Sequence, residues 1–171
     1  RKASFQEFVP PEMLIETLNR YDISAVFHMG ANSATTARDG DAVLKTNFRA
    51  TLDLIDWCAD RQVPLVYASS AATYGDGENG FVDDFSYAAL NQLRPLNLYG
   101  WSKHIIDKIV AQRFERSEPL PPRCIGVKFF NVYGPNEGHK GGMKSVVAQI
   151  WPKVAAGETV TVTLTNAFTV T

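Results

Sequence analysis

Three short apolar runs, each cut off by small or polar residues and separated by long stretches of helical period, constrain this chain most. The runs are Ala25-Val26-Phe27-His28, Pro64-Leu65-Val66-Tyr67-Ala68 and Arg123 to Phe130. They exit into Met29-Gly30-Ala31-Asn32-Ser33, Ser69-Ser70-Ala71-Ala72-Thr73-Tyr74-Gly75 and Asn131-Val132-Tyr133-Gly134-Pro135. Near-continuous apolar strands alternating with helices read as a parallel sheet covered by those helices. The expected class is therefore α/β, a Rossmann-like doubly wound parallel sheet with helices on both faces. Such sheets bind ligands at the carboxyl ends of their strands, so Gly30, Ser70 and Asn131 should mark the active edge.

The intervening segments carry the helical pattern. Pro11 to Arg20 has Met13, Leu14 and Leu18 as an apolar stripe behind a proline pair. Asp41 to Arg61 places Leu44, Phe48, Leu52, Ile55 and Ala59 on one face, with Asn47 on or near it. A buried amide needs its hydrogen bonds satisfied, so Asn47 is either a brace to a neighbouring loop or a cofactor contact. From an Asn97 cap, a helix runs to about Arg116 with Ile106, Ile109, Val110 and Phe114 inward, and a proline-rich loop ends it. Asp76 to Asn97 reads as a surface flap without clear period. A helix is expected from about Met143 to Ala156 and an alternating strand over Thr159 to Leu164, while 165–171 carries no pattern that can be assigned.

Composition excludes several classes. With 17 Lys+Arg against 18 Asp+Glu, the net charge is -1 and no basic surface for nucleic acid is present. The two cysteines have neither disulfide-framework nor metal spacing, so no metal site is expected and a reducing, cytoplasmic setting is the default. No apolar run approaches a membrane span. The chain opens on Arg1 without a methionine, and we read it as a piece of something larger.

Chemistry concentrates in Tyr99-Gly100-Trp101-Ser102-Lys103. Four residues are about one helical turn, which stacks the Tyr99 phenol and the Lys103 ammonium on one face. A cation beside a phenol favours the phenolate, giving a base able to take a proton from a sugar hydroxyl at neutral pH. Ser70 completes the set if its hydroxyl faces this helix. A helix start of ordinary amphipathic character has the same short pattern, and Ser70 equally suits backbone capping. Within Asn136 to Gly142, the glycines would let backbone fold closely around a phosphate or sugar and Lys140 would bring a cation there; a mobile loop with a solvated lysine fits as well. His28, inside a strand, reads as a satisfied core residue.

Those strand ends, with Tyr99 and Lys103, resemble the extended short-chain dehydrogenase/reductase family of nucleotide-sugar epimerases and dehydratases, from about residue 20 to 164. The matching segments are Phe27 to Ala31, Tyr67 to Gly75, Pro95 to Lys103 and Phe129 to Gly141. The last, with Tyr-Gly-Pro-x-Glu-Gly-His-Lys-Gly, points to the branch acting on heptoses. The resemblance implies inversion at C6 of an ADP-activated heptose by transient oxidation with NADP (NAD possible), a step in lipopolysaccharide inner-core precursor synthesis. It implies Tyr99 and Lys140 as the two acid/base groups, Ser70 bonding the reacting oxygen, and Lys103 holding the nicotinamide ribose. Met29, Gly30, Ala31, Asn32 and Ser33 would line the cofactor, joined by Asn47, Val132 and Lys140. Asn131, Gly142 and Gln149 would line the substrate with Ser70. Gly142 stands where the family often has a hydroxyl residue, Met29 where some members have an acid, and the flap is longer than in some.

The family's Gly-x-x-Gly-x-x-Gly turn is not among these residues. The expected organisation is one NAD(P)-binding domain over 1–164, truncated at both ends, and the 171-residue chain itself is expected to bind NADP poorly and turn over nothing. A nucleotide sugar is the expected partner and a homo-oligomer the expected assembly. Other readings are a UDP-sugar 4-epimerase, a dehydratase or a non-catalytic nucleotide-binding protein. Ala71-Ala72 lacks the acidic pair of dehydratases, and the intact Ser70, Tyr99 and Lys103 set is more than a sensor needs.

Overall fold

The computed structural model describes residues 5–34 and 38–161. After a 3-10 turn at Pro11–Met13, α1 spans Leu14–Leu18 and β1 Val26–His28. One long helical stretch follows: α2 (Gly40–Val43), a π-turn (Leu44–Arg49) and α3 (Ala50–Arg61). Next come β2 (Leu65–Ser70), a 3-10 turn (Ala71–Tyr74), α4 (Tyr87–Leu90), α5 (Leu98–Glu115) and β3 (Cys124–Phe129). A 3-10 turn at Glu137–Met143 and α6 (Val146–Ala155) complete the described elements.

The strands form one parallel sheet in the order β1-β2-β3, with Val26 opposite Leu65 and Leu65 opposite Cys124. Parallel neighbours need crossover connections, which α3 and α5 supply. Both long helices cover one face. His28 bonds Thr51 of the helical stretch, and Tyr67 and Ser69 bond Asp107 of α5. There Ile55 and Cys58 pack with Leu65, Tyr67, Ile106 and Val110, each large aliphatic side chain contributing about 1.5–3 kcal/mol by burial. On the other face, Phe27, Val66 and Ile125 share a register row, and Phe27 is 71% exposed. The buried β1 expected from its apolar residues is thus, among the described residues, an edge strand with one open side.

Helix patterning was displaced by local geometry. In the second helical stretch Ile55 and Ala59 are buried and Phe48 and Leu52 pack against the core as expected, but Leu44 is exposed and the fully buried row continues forward through Thr51, Asn47 and Val43 instead. Steps of four overshoot an α-helical turn by about 40° each, and the π-turn, with its i→i+5 bonding, absorbs the drift. On α5, Phe114 is exposed and the inward face is half polar: Ser102, Lys103, His104 and Asp107 join Gly100, Ile106, Val110 and Ala111. Near the start, α1 is a single turn that ends at Leu18 and leaves Met13 exposed.

The flap is more ordered than expected. Ser86 caps α4, and Leu90 and Leu93 pack with Ala71, Tyr74 and Ala111. Asn136 to Gly142, expected as a loose loop, forms a 3-10 turn kinked at Gly141 (φ 54°), and α6 starts at Val146 rather than near Met143. The strand expected over Thr159 to Leu164 is not seen at Thr159 to Thr161; its remainder and the tail lie outside the described residues.

Candidate active site

At the carboxyl edge the strand ends, the first turn of α5 and the Glu137-to-Gln149 segment enclose a cavity of about 610 Å³. Tyr99, Lys103, Ser70 and Lys140 all line it. From β1's exit come Met29, Ala31 and Ser33; from β3's exit, Asn131 and Val132; from the far wall, Gly142 and Gln149.

Each central group is placed by its own element. The side-chain oxygen of Asn97 accepts from the Gly100 amide at 2.8 Å, starting α5 so that Tyr99 and Lys103 fall on successive turns toward the strand ends. Gly100 sits where a Cβ would come within 2.8 Å of the Ala72 carbonyl oxygen, which lets this turn approach the segment after Ser70. The Ser70 hydroxyl accepts from the Ala72 amide at 3.1 Å, so capping and placement at the cavity coexist. Lys103 is only 3% exposed; burial lowers its pKa and Asp107, one turn on, opposes that shift.

Asn47 is a brace. Fully buried, it accepts from the Asn32 amide at 2.7 Å and donates to the Asn32 carbonyl and the Ser102 hydroxyl at 2.9 and 3.0 Å. Asn47, Asn32 and Gly30 do not line this cavity; Asn47 and Asn32 brace the loop that presents Ala31 and Ser33 to it. His28 is the core residue expected. Thr51 gives its proton to the Asn47 carbonyl, so the His28 Nε2–H donates to Thr51, and burial beside Lys103 lowers its pKa to about 4.

Sequence reasoning missed three residues. Glu137 is nearly buried and accepts from the Gly134 and Ser145 amides and the Ser145 hydroxyl at 2.8–3.0 Å, which pushes its pKa down to about 2. It also faces the Lys140 ammonium at 3.7 Å, so that amine lines the cavity while paired to a carboxylate. Buried Asp107 and partly buried Lys128 form an ion pair at 2.8 Å beneath the strand ends. Charge in a helix interior opposite a lysine in a strand was the available signal. Among the described residues, no cluster of three or more His, Cys, Asp or Glu could hold a metal ion, and no helix is long and apolar enough to cross a membrane.

A parallel sheet with this carboxyl-edge cavity and a Tyr-x-x-x-Lys helix beside it defines a Rossmann-like domain. The family described as the NAD dependent epimerase/dehydratase family matches residues 10–168, and the chain belongs to it. The chain is 44% identical over 151 residues to the ADP-L-glycero-D-manno-heptose-6-epimerase of Fusobacterium nucleatum subsp. nucleatum, covering 86% of this chain and 44% of that protein. The crystal structure of the Helicobacter pylori ADP-L-glycero-D-manno-heptose-6-epimerase is similar at a TM-score of 0.65 and 30% identity, over 84% of this chain and 43% of that one. MoeE5, solved with UDP-glucuronic acid and NAD, is similar at 0.54 and 30%, over 71% of this chain and 39% of that one. The chain thus spans less than half the length of these relatives.

The residues present fit a dinucleotide cofactor of the kind the family's description implies. A buried lysine, a half-buried phenol and the small residues Ala31, Ser33 and Ala68 line a cavity within the usual volume range of ligand sites.

Proposed function

We propose that this chain forms the cofactor-side portion of an epimerase that inverts C6 of an ADP-activated heptose, using NADP, in the synthesis of lipopolysaccharide inner-core precursors. One observation carries the reading: Ser70, Tyr99, Lys103 and Lys140, from three separate segments, line one cavity at the sheet's carboxyl edge. The relatives named for this reaction support the choice of sugar.

A nicotinamide, when bound, supplies reversible two-electron oxidation of the sugar's secondary alcohol. The chain's own residues handle position and protons. Tyr99 as phenolate accepts the hydroxyl proton, Ser70 donates a hydrogen bond to the reacting oxygen, and the Lys103 cation stabilises the phenolate and holds the ribose. Inversion requires a second acid/base across the ketone, and Lys140 takes that role. Its ammonium stands 3.7 Å from the Glu137 carboxylate, which anchors it at the cavity wall. Met29, Ala31, Ser33 and Val132 contact the cofactor, and Asn131, Gly142 and Gln149 contact the sugar.

The test is Tyr99→Phe in the complete gene product, assayed for interconversion of the two C6 epimers of an ADP-heptose. Turnover is expected to fall at least 100-fold while NADP affinity changes less than threefold. Retained turnover would sink the assignment. A parallel assay with UDP-sugars separates this reading from a 4-epimerase.

A further inference from the structure

Beneath the cavity, Asp107 is 2% exposed and accepts three hydrogen bonds. Its Oδ1 takes the Tyr67 hydroxyl at 3.0 Å; its Oδ2 takes the Ser69 hydroxyl at 2.6 Å and the Lys128 ammonium at 2.8 Å. Ser69 and Lys128 are register partners on β2 and β3, each near the end of its strand. Lys128 also donates to the Thr73 hydroxyl at 2.7 Å, and Thr73 donates to the Ser70 carbonyl at 2.8 Å. Ser70 is therefore gripped twice, through its neighbour's side chain and through its own backbone oxygen. Both grips end on the same helix, one turn below Lys103 and two below Tyr99.

Stability alone does not call for this arrangement. Taking two charges out of water costs several kcal/mol each, and apolar side chains of similar volume in place of such a pair are often neutral or stabilising. Helix-on-sheet contacts elsewhere in this core are made by Ile106, Val110 and Leu65 without any charge. What the pair adds is direction, because hydrogen bonds fix angle and depth where apolar contacts let surfaces slide.

We propose that the Asp107–Lys128 pair is a positioning device that sets the Ser70 hydroxyl against the Tyr99 and Lys103 side chains by locking α5 onto the carboxyl ends of β2 and β3. This rests on the reading of Ser70, Tyr99 and Lys103 as the reacting set. Neither Asp107 nor Lys128 lines the cavity, so both act through Ser69, Thr73 and Ser70.

The test uses the complete gene product with Asp107→Asn, Lys128→Met and the double variant Asp107→Leu/Lys128→Met. Each single change strands a buried charge or its partner and lowers the melting temperature; the double change leaves no unpaired charge, only the Tyr67 and Ser69 hydroxyls without their acceptor, and restores part of that loss. In the double variant, amide exchange at residues 69–71 and 128–130 is expected to accelerate at least tenfold, with the rest of the sheet unchanged. Its kcat should fall at least tenfold with KM changed less than threefold, and Lys128→Arg should recover most of it. A folded double variant with unaltered exchange and kcat overturns the proposal. If the unaltered protein turns over no ADP-heptose, the proposed function fails while the exchange comparison still decides this inference. Should the double variant not fold, Ser69→Ala and Thr73→Val, which cut the two grips separately, carry the same comparison.

Discussion

His28 and His104 enter the core as neutral imidazoles, burial lowering each pKa from 6.5 to about 4. The unfolded chain binds a proton at each near pH 6.5, so between pH 6.5 and 4 it holds more protons than the folded chain and stability falls as pH falls. A loss of up to about 3 kcal/mol per histidine is expected across that window, read as a drop in melting temperature. His104→Leu should flatten the slope, since this ring rests edge-on against Trp101 and its Nδ1 has no partner. Glu137 acts in a lower window: its carboxylate, held at about 2, stabilises above pH 4.5 and is lost only toward pH 2. Gly126 supplies a packing test. A Cβ there would meet the Tyr67 ring and hydroxyl at 2.5 Å, so Gly126→Ala should push Tyr67 off Asp107 and cost about 1–3 kcal/mol in chemical denaturation.

Among elements, α5 was the most legible in advance, and for a local reason. An Asn cap, four-residue spacing and a proline stop all lie within one stretch of chain, so Tyr99 and Lys103 could be stacked from spacing alone. Asp107 and Lys128 are 21 residues apart on different elements, and nothing local couples them. Only the start of the stripe on the second helical stretch differs, Val43 rather than Leu44 facing inward, because its π-turn changes period where no glycine or proline announces it. Asn47 profits from that turn, which keeps it in the buried row. Asn47→Ala should remove three hydrogen bonds and leave the Asn32 backbone and Ser102 short of partners, costing about 2–4 kcal/mol by denaturation. Deleting one residue from 44–49 should give a more regular helix and a less stable protein, because the rows on either side of the turn then face different directions.

At the scale of the molecule, the strand alternation announced the parallel sheet and the edge where the cavity lies, while exposure of one face depended on what packs there and was not readable from apolar runs. Phe27, Ile125 and Phe129 lie on the face away from α3 and α5, all exposed. The 171-residue chain is expected to bind an apolar dye there, and Ile125→Lys should reduce dye fluorescence at least twofold without lowering the melting temperature. The sheet has one further property: its spatial order β1-β2-β3 is also its order along the chain. Among the described residues, each strand can dock on its predecessor as it leaves the ribosome. The opposing amine is delivered last, so a nascent chain halted just after β3 would already present the phenol, the serine and one lysine, assembled but without their counterpart.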